Sequence, residues 1–96
     1  MRKIEKLMLN AVNNNQRFAS GNTTVTIDSA NNLFVYLFGN CIYKVIDGVK
    51  YFTLAGYNTV TTRSRLNALN VDICQRNFTA YYNGVSINSD QWYKIN

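Results

Sequence analysis

This sequence predicts an α+β fold built around an antiparallel β-meander, and three observations lead there. Apolar residues recur with a helical period near the N-terminus, switch to a period of two from Asn22, and return to helical spacing after Thr61. The period-two runs are separated by very short loops, Gly39-Asn40 and Asp47-Gly48, and loops of that length join only antiparallel neighbours. The chain has no proline and 5 glycines in 96 residues, so no stretch reads as a linker. A single domain covering 1–96 is expected.

The first helix is placed at about residues 2–14. Ile4, Leu7, Met8, Ala11 and Val12 fall at i, i+3, i+4, i+7 and i+8, one stripe of a helix, with Arg2, Lys3, Lys6, Asn10 and Asn13 largely opposite. Phe18 lies just beyond as an anchor. Thr24 and Thr26 then alternate with Val25 and Ile27 in a first strand, closed by the turn-forming Asp28-Ser29-Ala30-Asn31-Asn32. Leu33–Phe38, Cys41–Ile46 and Val49–Leu54 complete a meander of about four strands.

Two-residue loops pair Phe38 with Cys41 and Ile46 with Val49, and paired residues share a face. One face is then expected to carry Leu33, Val35, Leu37, Ile42, Lys44, Ile46, Val49, Tyr51 and Thr53. The other takes Phe34, Tyr36, Phe38, Cys41, Tyr43, Val45, Lys50, Phe52 and Leu54. Both are too apolar for a sheet wetted on one side. Helices cover one; the 78–95 segment, a second copy or a ligand must meet the other.

A second helix is placed at about 62–71, with Thr61 or Thr62 as N-cap and Leu66, Leu69 and Ile73 at helical spacing. Phe78–Tyr82, Asn83-Gly84 and Val85–Ile87 read as a C-terminal hairpin, and Trp92 as a closing residue tucked against the body.

Composition narrows the function. An apolar fraction of 47% suits a folded, soluble chain. The longest apolar run, Leu33–Phe38, is far below the ~20 residues of a membrane span, and Glu5, Lys6 and Asn10 interrupt any signal-peptide core. Histidine is absent, and the acids Glu5, Asp28, Asp47, Asp72 and Asp90 are scattered, so neither acid–base catalysis nor metal binding is assembled. Cys41 and Cys74 form no disulfide framework or metal spacing, and both are expected as half-buried thiols. The chain is expected to be no enzyme and to take no cofactor.

The formal charge of +5 favours a polyanion or an acidic protein surface. The start of the second helix is the candidate site. Free N–H groups and the helix dipole favour an anion there, Thr59, Thr61, Thr62 and Ser64 add hydroxyls, and Arg63 and Arg65 add charge. Basic residues near a helix N-terminus imply an anionic neighbour, either a phosphate or a carboxylate of the same protein. Arg2, Lys3 and Lys6 extend the positive strip if the two helices lie side by side.

The block Leu54-Ala55-Gly56-Tyr57-Asn58-Thr59-Val60-Thr61-Thr62-Arg63-Ser64-Arg65-Leu66-Asn67-Ala68-Leu69 resembles the core of a group of small tailed-bacteriophage proteins. In that group a Leu-Ala-Gly-aromatic stretch and a Thr-Thr-Arg-Ser-Arg-Leu-Asn-Ala-Leu stretch follow a β-meander. Gly21-Asn22-Thr23 and Trp92-Tyr93 are similar as well. The resemblance implies a phage protein made inside a bacterium, placed in the host-cell cytoplasm, and carries over no activity or site role. The layout of helix, meander and basic-starting helix is also similar to a double-stranded RNA-binding domain, with an extra strand, arginines for a lysine cluster and an added C-terminal hairpin.

The leading expectation is therefore a phage accessory protein that binds nucleic acid, duplex ahead of single strand, through backbone phosphates. Arg63 and Arg65 are its expected anchors, with Thr61, Thr62 and Ser64 in support. The alternatives are a host-directed inhibitor or adaptor that binds a host bacterial protein during host takeover, and a minor virion component that self-associates into a homo-oligomer.

Overall fold

The computed structural model describes residues 1–95. Its elements, in chain order, are α1 (Lys3–Asn13), β1 (Phe18–Ser20), β2 (Thr23–Ile27), β3 (Leu33–Leu37), β4 (Asn40–Ile46), β5 (Val49–Phe52), α2 (Val60–Ala68), β6 (Ile73–Arg76), β7 (Thr79–Tyr82), β8 (Val85–Ile87) and β9 (Tyr93–Lys94). A six-stranded antiparallel sheet runs β1-β2-β3-β4-β5-β9, and β6-β7-β8 form a second, three-stranded sheet. The α+β class is as expected, with the C-terminal hairpin extended to three strands. Its added strand, β6, holds Ile73, which its spacing had assigned to helix.

One core joins all layers. Met8 and Ala11 from α1, Leu66 and Ala68 from α2, and Ile73 and Ala80 from the small sheet meet Val25, Leu33, Val35, Leu37, Tyr43 and Phe52 of the large sheet. Phe52 lies at the centre, with the Tyr82 ring 4.8 Å and the Tyr93 ring 5.6 Å from its own. The helices and the small sheet therefore cover the same face of the large sheet. The 78–95 segment, expected with a second copy or a ligand as the alternatives to cover the other face, instead completes this core through Ala80, Tyr82, Ile87, Tyr93 and Ile95; Trp92 and Lys94 reach the opposite face, beside Lys44.

The register of β3 against β4 departs from expectation, and the departure sorts the side chains. The loop is Phe38-Gly39, both at positive φ (51° and 79°), and Leu37 pairs with Asn40. Between the Tyr36–Cys41 and Val35–Tyr43 pairs, Ile42 is an extra residue on β4, a β-bulge that places Ile42 and Tyr43 both in the interior. Beyond the bulge every side chain of β4 and β5 sits on the face opposite to that expected relative to β3. Tyr43, Val45 and Phe52 join Leu33, Val35 and Leu37 inside; Lys44, Ile46, Val49 and Tyr51 join Phe34 and Tyr36 outside. The β4–β5 hairpin keeps the expected Ile46–Val49 pair around Asp47-Gly48.

Helix α1 is rotated from its expected stripe. Leu7 is 44% exposed, whereas Glu5 is 2% exposed. The cause is Arg65, itself 3% exposed, whose guanidinium draws the carboxylate inward. Its Nη1 donates to Glu5 Oε2 at 2.9 Å, its Nε to Thr23 Oγ1 at 3.0 Å and its Nη2 to Asn22 Oδ1 at 3.1 Å. Ser64 Oγ and the Arg2 backbone N–H complete the Glu5 carboxylate. No buried side-chain nitrogen or oxygen among the described residues lacks a partner. Burial raises the Glu5 pKa, but the hydrogen bonds from Ser64, the Arg2 amide and Arg65, with the Arg65 charge, outweigh it and hold the carboxyl below its ordinary value.

Replacing Arg65 with Met leaves a buried carboxylate unpaired. It is expected to cost about 3–5 kcal/mol in urea unfolding at neutral pH, with much of the loss recovered when Glu5 is also made Leu. Because the folded pKa of Glu5 is depressed, its stabilisation is complete above the ordinary carboxylate range and is lost as pH falls through the folded value. Wild type should therefore lose stability on acidification more steeply than Glu5→Gln. Equal pH slopes would remove Glu5 from this role.

Candidate nucleic-acid interface

The N-terminus of α2 is organised differently from expectation. Thr59 is the N-cap: its hydroxyl accepts the Thr62 N–H at 3.2 Å and lies 2.9 Å from the Thr62 hydroxyl. The helix starts two residues earlier than its sequence suggested, because Thr59, already extended at φ −110°, supplies the capping oxygen. This moves Arg65 into the last turn, where a cation suits the dipole. Arg65 is therefore corrected from a phosphate anchor to a buried framework residue; its anionic neighbour is a carboxylate of the same protein.

Arg63 and Arg65, two residues apart, lie about 200° apart around the helix. Arg63 is half-buried; its Nη1 donates to the Asn58 carbonyl in the loop before α2 at 2.9 Å and to Gln75 Oε1 on β6 at 3.0 Å. Thr62 is buried and Ser64 is bonded to Glu5. Thr61 lines a cavity of about 430 Å³ with Leu37, Ile42, Leu54 and Tyr57. Arg2, Lys3 and Lys6 are exposed on α1. The eight expected site residues do not gather on one surface: Ser64 and Arg65 meet Glu5 in the seam between the helices, and Arg63 faces the other way.

The bulge instead assembles a different constellation. Across four strands of the open sheet face, successive register partners are Phe34, Lys44, Tyr51 and Lys94. Aromatic and cation alternate along one line, with Tyr36, Ile46 and Val49 beside it. Phe34, Tyr36, Lys44 and Tyr51 are all half-exposed, and Lys94 is exposed. The Lys44 ammonium stands 5.6 Å from the Tyr51 ring centroid and 4.1 Å from that of Trp92, so two rings hold it in place. Lys44, Ile46, Tyr51, Trp92 and Lys94 bound a shallow groove of about 400 Å³.

Thr24, Thr26 and Cys41 fill the rest of this face, and none of its register positions holds an acid. Burial raises the Cys41 thiol pKa, so it stays protonated at neutral pH. Cys74, in contrast, is exposed, not half-buried as expected. Sequence reasoning missed the row because a one-residue change of register exchanges faces, and the expected pairing put Lys44 and Tyr51 on the other face of the sheet from Phe34. The available signal was Lys44 itself: the bulge keeps this charge out of the core.

A second exposed feature lies at the α2 end of the sheet. Phe38 is 69% exposed and Phe78 92%, each at a hairpin tip in the left-handed region (φ 51° and 65°). Tyr57 and Val60 are exposed as well, and the Asn58 side chain donates to the Phe78 carbonyl. Neither packing nor backbone preference calls for phenylalanine at such positions.

The whole chain, residues 1–96, matches the family model described as Kyanoviridae Gp96 protein, and the protein belongs to this phage family. No curated protein and no solved structure matches it. Among the described residues, no helix is long and apolar enough to cross a membrane.

Replacing Phe38 or Phe78 with Asn, which tolerates the left-handed region, is expected to leave the fold intact and raise stability by about 1 kcal/mol each. Thermal or urea unfolding measures this. A loss of stability would mean that these rings pack in solution.

Proposed function

We propose that this member of the Kyanoviridae Gp96 family is a small phage accessory protein that binds nucleic acid without sequence specificity, through backbone phosphates, and works by binding rather than by catalysis. The observation that carries the reading is the alternating row Phe34, Lys44, Tyr51 and Lys94 on an acid-free sheet face. Lysine ammonium groups make point contacts with phosphate, and each contact releases condensed counterions. The formal charge of +5 steers a polyanion toward the protein. Arg2, Lys3, Lys6 and Arg63 add to that long-range potential from other surfaces, and the helix-terminal hydroxyls of Thr61, Thr62 and Ser64 are not needed for it.

A second reading is favoured by the strained, exposed Phe38 and Phe78 and by the 430 Å³ cavity that Phe38 and the exposed Tyr57 line. Exposed aromatics around a pocket are the usual anchors of a protein interface. This reading makes the chain an adaptor or inhibitor that docks a host protein.

The decisive measurement is the affinity for labelled oligonucleotides between about 50 and 200 mM salt. Wild type should weaken steeply as salt rises, and the double change Lys44→Ala/Lys94→Ala should flatten the log K against log salt slope by about 0.7–0.9 per lost contact. Arg63→Ala should change that slope less. Absence of binding at about 50 mM salt, together with nuclease-resistant capture of a stoichiometric host protein that Phe38→Asn/Phe78→Asn abolishes, would replace the first reading by the second.

A further inference from the structure

We infer that the open sheet face takes an unpaired nucleic-acid strand, with bases lying flat on Phe34, Tyr36 and Tyr51 and phosphates on Lys44 and Lys94. The inference rests on the nucleic-acid reading above and adds the class of ligand. A duplex hides the flat faces of its bases in its own stack and offers a protein only edges, sugars and phosphates. Half-exposed rings on a sheet are of no use to those groups. An unpaired strand offers base faces and phosphates in alternation, and the row of register partners offers ring and cation in alternation.

Shape points the same way. Six strands spaced about 4.8 Å apart make a surface roughly 24 Å wide. A cylinder touches such a surface along a narrow band, whereas a flexible strand can cross all of it. The residues are also set to receive one: Lys44 is held between the Tyr51 and Trp92 rings rather than by a carboxylate, so no ion pair has to break before a phosphate binds. The face does not suit a second copy of the chain. Placed against itself, it would bring the Lys44 and Lys94 ammonium groups of two protomers together with no acid on either side to offset them.

Trp92 is the one tryptophan of the chain and borders this groove, so its emission reports on the site directly. The test titrates the full-length protein with a thymidine oligonucleotide and with a duplex of equal length in the same low-salt buffer. Single strand is expected to change Trp92 emission saturably and to bind at least tenfold more tightly than duplex. Tyr36→Leu and Tyr51→Leu, which keep apolar bulk on a half-exposed strand position, should each weaken single-strand binding by roughly 5- to 150-fold and leave the salt slope unchanged. Circular dichroism and melting of the same variants identify any that are misfolded, and Phe34→Leu then serves as the replacement. Duplex binding equal to or tighter than single-strand binding, or folded aromatic variants with wild-type affinity, would overturn the inference and leave phosphate binding standing. No binding of either oligonucleotide would overturn both.

Discussion

The buried Arg65–Glu5 ion pair is the constraint on which the arrangement of this protein depends. It is the one ion pair among the described residues, and its partners come from α1, α2, β2 and the turn before β2. An unpaired charge in such a place is costly, so neither helix can slide or rotate without the other. Leu7 is left at the surface because the same face of α1 cannot carry both Leu7 and Glu5 into the seam. The helices are thereby fixed on one side of the sheet, and the small C-terminal sheet closes the core beside them.

Much of the fold was legible in the residues because short-range chemistry determines it. The α1 period, the Asp47-Gly48 hairpin and the β7–β8 hairpin all depend on spacing and turn residues a few positions apart. What was not legible depends on partners far apart in the chain. Nothing near Glu5 announces that it is buried; only Arg65, 60 residues away, explains it. The bulge at Ile42 is similar: a loop at Gly39-Asn40 or at Phe38-Gly39 gives the same two faces, and the extra residue alone brings Tyr43 inside beside Ile42 and turns Lys44 out. Strand β6 is hidden because Asn67 grips the backbone of Ile73 through both ends of its amide, a contact that ends the helical run.

Arg65, expected at an anion-binding surface, lies in the core for one physical reason. Arginines in a helix beside threonines look the same in sequence whether they face solvent or an internal carboxylate. Glu5 decides the matter for Arg65, and with it the second helix becomes framework. The sheet then supplies what the helix does not. One inserted residue on β4 brings Lys44 and Tyr51 into line with Phe34, so the chemistry of the open face follows from a packing decision on the other side of the sheet.

The span between the two charges also sets the order of events during synthesis. Residue 65 emerges long after residue 5, by roughly 3–12 s at ordinary translation rates. Until then α1 carries a carboxylate destined for the interior with nothing to receive it, and it remains a solvated, amphipathic segment. Once α2 appears the Glu5 carboxylate has its partner, while the small sheet and β9, which complete the core and the large sheet, are still to come. The nascent chain thus waits on a contact of high sequence separation, a slow step by the topology rule for folding rates, and the meander must persist uncovered in the meantime.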